Sequence, residues 1–120
     1  MADKYSETFD KLQGEIPGFI AAALVDLETG MTLSTKSTRP DFDLSVASAF
    51  NSELVKQKLK TMKALNLKSS LEDILLTLSD QLHVIKFVTP KTFIYLAADK
   101  ANSNLAIVRS VVAKYCPALV

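Results

Sequence analysis

Thr92-Phe93-Ile94-Tyr95-Leu96-Ala97-Ala98 runs directly into Asp99-Lys100-Ala101-Asn102-Ser103-Asn104-Leu105-Ala106-Ile107-Val108-Arg109. The first seven residues have the β-branched, aromatic and small apolar composition of a strand. Asn104 suits a helix N-cap, because its side-chain oxygen can accept from the otherwise unpaired amides of a first turn. Beyond it Leu105, Val108, Val112 and Tyr115 share one helical side, and Pro117 lies past the end. A strand therefore feeds a capped C-terminal helix.

Upstream, two strand-like runs at 71–78 and 82–88 are separated by Ser79-Asp80-Gln81, and Thr89-Pro90-Lys91 turns the second into the strand at 92–98. This predicts an antiparallel meander of three strands. Asp41 or Asp43 can cap a long helix over 44–65, which has no internal glycine or proline. On a helical wheel Ala47, Phe50, Leu54 and Leu65 form one stripe, and Leu44, Val55 and Met62 widen it on one flank. That arc exceeds what one sheet face needs, and two polar residues, Asn51 and Lys58, fall inside it. A second, mixed contact surface on this helix accounts for both facts. Lys56, Lys60 and Lys63 lie on the opposite side and read as a solvated stripe, the later two suiting the negative end of the helix dipole.

At the other end Tyr5, Phe9, Leu12 and Ile16 recur at helical spacing until Pro17-Gly18 stops them. Residues 19–26 are apolar at nearly every position, as in a central strand covered on both faces. Glu28-Thr29-Gly30 supplies turn chemistry, and 31–36 makes a shorter, more polar strand that fits a sheet edge. The loop at 34–40 reads as exposed. The expected order is helix, two strands, long helix, three strands, helix. It predicts an α+β fold, one domain over 1–120, with a five-stranded, mostly antiparallel sheet and helices on both faces.

The strand at 92–98, the Asn104-Leu105-Ala106 helix start, Gly18, the run Ala21-Ala22-Ala23-Leu24-Val25-Asp26 and Gly30 together resemble the Roadblock/dynein light chain family, over about 9–115. That resemblance implies a Roadblock/profilin-like fold and a homodimer in which the long helix and the strand after it meet their symmetry mates. The wide arc agrees with such an interface, for which the candidate residues are Leu44, Asn51, Val55, Lys58, Met62, Leu71, Ile74 and Leu76. The resemblance further implies a regulator or scaffold for a small Ras-like GTPase, as in bacterial gliding motility. The alternatives are a dimeric adaptor without a GTPase partner and a small-molecule sensing module.

Composition narrows the rest. Fourteen basic against 13 acidic side chains leave a formal charge of +1, so no long-range field favours nucleic acid or an anionic membrane. The apolar run at 19–25 is far shorter than the roughly 20 residues a membrane span needs. Met1-Ala2-Asp3-Lys4 lacks a secretory layout, and the lone Cys116 has no internal disulfide partner, so a reducing cytoplasm is the expected location.

No catalytic, cofactor-binding or metal-ligating constellation is legible. Glycines 14, 18 and 30 are too scattered to cradle phosphate. His83 is the only histidine and reads as packing; Cys116 reads as a small buried apolar residue. Glu72 and Asp73 point to opposite faces of a strand and are not preset to share a proton. Arg39 and Arg109 are the only arginines available as a finger in phosphoryl transfer. Arg109 is expected to pair locally or to cover apolar surface with its stem, and Arg39 sits in a loop that could reach a partner.

Overall fold

The computed structural model describes residues 4–120. Met1, Ala2 and Asp3, the start of the stretch read above for a leader, lie outside the described residues.

The elements follow in the order α1 (Ser6–Glu15), β1 (Phe19–Asp26), β2 (Thr32–Ser37), α2 (Leu44–Ala64), β3 (Asp73–Thr77), β4 (Gln81–Thr89), β5 (Thr92–Asp99) and α3 (Leu105–Tyr115), with a closing 3-10 turn over Cys116–Leu119. The five strands form one sheet ordered β2-β1-β5-β4-β3, and every neighbouring pair is antiparallel. β1 and β5 lie at the centre because their residues are apolar on both faces. Phe93, Ile94, Tyr95, Leu96, Ala97 and Ala98 are all buried.

Three layers result. On one face Phe9 and Leu12 of α1 and Val108 and Val112 of α3 pack on Leu24, Ile94 and Leu96. On the other, Leu44 and Val55 of α2 pack on Ala21, Ala23, Phe93 and Tyr95. A bulge in β1 between Phe19 and Ala21 lets Ile20 and Ala21 both join the α2 side. Leu119, in the 3-10 turn, adds to the α1/α3 core.

Two glycines make the connections possible. Gly18 has φ +74°, and its carbonyl accepts from Asp99 N at 2.7 Å, clamping the start of β1 to the end of β5. A Cβ there would lie 3.1 Å from the Asp99 carbonyl oxygen. Gly30 has φ +77° and donates to the Asp26 carbonyl at 2.8 Å, while α2 passes so close that a Cβ would sit 3.4 Å from Ala49 Cα. Asp26 finishes this turn by accepting from Thr29 N at 2.9 Å and from the Thr29 hydroxyl at 2.6 Å. Those bonds hold its carboxyl below the usual range.

Both long-range helix starts are capped as the sequence predicts. Asp43 accepts from Val46 N at 3.1 Å, and Asn104 accepts from Ile107 N at 2.9 Å. The strand at 71–78 is shorter than expected, starting only at Asp73.

Candidate interaction surface

α2 lies across β1 and β2, and strands this small-sided set which of its residues go down. Ala21 and Ala23 offer no bulk, so the helix settles close, and Ala47, Ser48 and Ser52 fit beneath it beside Leu44, Val55 and Leu59. Leu44 is 7% exposed and Val55 0%. These two expected interface residues therefore belong to the chain's own core, and a charge at Val55 would break the fold before it separated any subunits.

The larger apolar residues point away. Phe50 is 72% exposed, Leu65 63% and Leu54 41%. At about 100° per residue they fall in the same sector as Asn51 and Lys58, on the side of α2 that leans toward β4 and β3. Lys58 is exposed and Asn51 half-buried. Phe50, Leu54 and Leu65 are visible in the sequence as an apolar stripe, but a wheel cannot tell that serines would be buried and phenylalanine left outside.

On this face Asn51 turns toward the sheet. Its side chain faces the Tyr95 hydroxyl and favours the ionised form. The hydroxyl lies 3.2 Å from His83 Nδ1, whose ring meets that of Tyr95 edge-on, and His83 Nε2 lies 2.7 Å from Gln81 Oε1. Burial pushes Tyr95 up to about 12 and pushes His83 below its ordinary value, the Asp80 charge opposing the second shift. His83 in turn sits opposite Leu76 across the β3–β4 ladder. A polar cluster thus runs from Asn51 of α2 over Tyr95 of β5 to His83 and Gln81 of β4.

β3 is that edge, hydrogen-bonded to β4 alone among the described residues. Ile74 and Leu71 pack with the α2-side core, and Leu76 shares the Ile74 face; all three are half-buried. Met62 is half-buried near the end of α2. Asn51, Lys58, Met62, Leu71, Ile74 and Leu76 therefore share one side of the molecule with Phe50, Leu54 and Leu65. On the opposite face of β3, Asp73 accepts from Arg109 Nε of α3 at 2.7 Å, which raises the already high Arg109 value. The pairing of Arg109 is thus across the fold and not local. Arg39 is exposed in the connection between β2 and α2.

Cys116 is buried, and that burial raises its thiol. Among the described residues no group of three or more His, Cys, Asp or Glu side chains is arranged to hold a metal ion, and no helix is long and apolar enough to cross a membrane.

A sheet of this order sandwiched between one long helix and two shorter ones is a Roadblock-type fold. Its solved counterparts include the gliding protein MglB of Thermus thermophilus, with a TM-score of 0.84 at 16% identity over 97% of this chain and 85% of that one. An MglB with a tetrameric arrangement superposes with a TM-score of 0.85 at 16% identity, covering 99% of this chain and 89% of that one. The Roadblock/LC7 domain from Streptomyces avermitilis gives 0.73 at 16% identity over 92% of each chain. No protein-family profile matches the sequence, and no curated protein matches it.

Proposed function

We propose that the chain is a non-enzymatic homodimeric regulator or scaffold for a small Ras-like GTPase, assembled through α2 and β3. The observation that carries this is the exposed stripe of Phe50, Leu54 and Leu65 on the same side as the unpaired edge of β3. A monomer seldom leaves side chains this large together in water next to a free strand edge. A two-fold contact would cover the stripe with its own copy, and β3 against β3 would extend the sheet through both subunits. Asn51 and Lys58 beside the stripe suit a mixed interface, which needs polar groups at its rim. The Roadblock resemblance implies a GTPase as the partner, and the likeness in fold to MglB, a gliding protein, fits the gliding-motility setting of that resemblance.

Light scattering at micromolar concentrations tests the assembly: wild type is expected to run as a dimer, and Phe50→Glu or Leu54→Glu as a folded monomer. A monomeric wild type would end the dimer proposal. Pull-down from native lysate with GTP and GDP analogues tests the partner. Capture of a small GTPase that depends on the nucleotide supports regulation. Capture of other proteins regardless of nucleotide identifies an adaptor.

A further inference from the structure

His83 stands between the two elements of the proposed interface. Its ring lies on the α2 side of the sheet, opposite Leu76 of β3 in one direction and Ala97 of β5 in the other. It meets the Tyr95 ring edge-on at 5.3 Å, and Asn51 of α2 faces the Tyr95 hydroxyl. Leu76 and Asn51 are both candidate interface residues. The ring is only half-buried, so a partner has surface left to cover. Both nitrogens are engaged within the chain, Nε2 with Gln81 at 2.7 Å and Nδ1 with Tyr95 at 3.2 Å. A neutral ring therefore needs only apolar cover from whatever packs on it.

A charged ring finds little to balance it. Asp80, in the turn between β3 and β4, acts on the ring, and burial outweighs that charge even in the single chain. On β5, Asp99 is occupied by Ala101 N and the Asn102 side chain. On β3, Ile74 and Leu76 share the ring's face, while Asp73 lies on the other face with Arg109 and the charge of Glu72 acts on that same arginine. On α2, the sector leaning toward β4 holds Lys58 and no carboxylate. α1 and α3 cover the opposite side of the sheet. A two-fold contact sets a face against its own copy. The second copy therefore brings Phe50, Leu54 and Lys58, which is apolar cover and a further cation. Neither favours an imidazolium.

We infer that His83 makes the dimer sensitive to pH: association covers the neutral ring, and uptake of a proton by the ring drives the two copies apart. This rests on the dimer reading and adds its regulation. Covered by a second copy, the ring binds its proton less readily than in the folded single chain. Association is therefore at full strength above the single-chain value, itself below 6.5, and weakens as pH falls through it. A dimer covers two such rings. Once both must shed a proton to associate, the dissociation constant rises by up to about 100-fold per pH unit.

Sedimentation velocity over a concentration series, from about pH 8 down to about pH 5, provides the test, with circular dichroism at each step to show that the chain stays folded. Wild type is expected to associate at least about tenfold more weakly at the acid end. His83→Gln keeps a polar side chain that takes up no proton, and its association is expected to change little, which separates the imidazole from the carboxylates both proteins share. Asp80→Asn removes a charge that favours the imidazolium, and is expected to move the loss of association to lower pH. That variant carries the test with the imidazole in place, even where His83→Gln associates poorly throughout. A dimer equally tight across the interval, or one that weakens equally in His83→Gln, overturns this regulation and leaves the dimer standing. A wild type that is monomeric even at about pH 8 overturns the dimer and its regulation together.

Discussion

Arg109 Nε donates to Asp73 Oδ2 across 2.7 Å, tying α3 to the first residue of the edge strand β3. The Asp73 side chain is only 11% exposed and that of Arg109 54%, so the carboxylate is the sheltered partner. Leaving such a carboxylate without its counter-charge is costly. In Arg109→Ala the amides of β3 are expected to exchange with solvent faster while those of β1 and β5 keep their protection. Native-state hydrogen exchange measures this, and unchanged protection in β3 would show that the pair does not hold the strand. Since β3 is the proposed pairing edge, the same variant is expected to dimerise more weakly.

With Arg109 engaged by Asp73, Arg39 is the arginine whose side chain no ion pair among the described residues holds. A scaffold works through its surface and needs no inserted cation. Arg39→Ala is therefore expected to leave any stimulation of GTP hydrolysis within about tenfold of wild type, whereas a true finger is worth roughly a thousandfold or more. Phe50→Glu is expected to do greater damage. Single-turnover hydrolysis with a captured GTPase separates the two, and a collapse in Arg39→Ala that still dimerises would make this a finger-type activator.

Element order, the edge role of β2 and both helix caps were legible in the sequence, because each rests on local chemistry: Asn104 before an apolar period, Pro17-Gly18 after one, Gly30 in a turn. The face of α2 was less legible. Helical periodicity ranks residues by apolarity, but which of them are buried depends on the strands beneath. Ala21 and Ala23 bring the helix down onto Ser48 and Ser52 and turn Phe50 outward. The Asp73–Arg109 pair spans 36 positions and leaves no periodic trace. Leu119 escaped notice because a helix was expected to end before Pro117, whereas the chain continues as a 3-10 turn.

Those buried serines are open to improvement. Ser48 Oγ and Ser52 Oγ are buried without a hydrogen-bond partner among the described residues, and an unsatisfied buried hydroxyl costs about 1–3 kcal/mol. Ser52→Ala removes the polar atom and leaves almost no cavity. Urea melts are expected to show a variant as stable as wild type or about 1 kcal/mol more so. A clear loss of stability would mean that the hydroxyl finds a partner in solution.

Asn104 and Asn102 offer an internal comparison. Asn104 caps α3 through Ile107 N, while the Asn102 side chain donates to Asp99 Oδ2 at 3.0 Å on the exposed surface. Asn104→Ala is expected to cost about 1 kcal/mol and Asn102→Ala a few tenths. Equal losses in denaturant melts would remove the special role of the cap.

His83 makes the final prediction, because its ring stands between Gln81 and Tyr95 with both nitrogens engaged. A neutral ring satisfies both neighbours when Nε2 donates to Gln81 Oε1 and Nδ1 accepts from the Tyr95 hydroxyl. Protonation puts a hydrogen on Nδ1 and sets it against that hydroxyl. Burial already favours the neutral form, holding His83 below 6.5 in the folded chain. Above 6.5 the ring is mostly neutral in folded and unfolded chains alike, and its full contribution is present. As pH falls below 6.5 the unfolded chain takes up the proton first, so stability is lost until the folded-state value has been passed, and then levels off. Urea melts of wild type and His83→Gln across this interval isolate the effect from the carboxylates, which both proteins share. The wild type is expected to lose more stability on acidification than the variant; parallel curves would show that His83 titrates alike folded and unfolded.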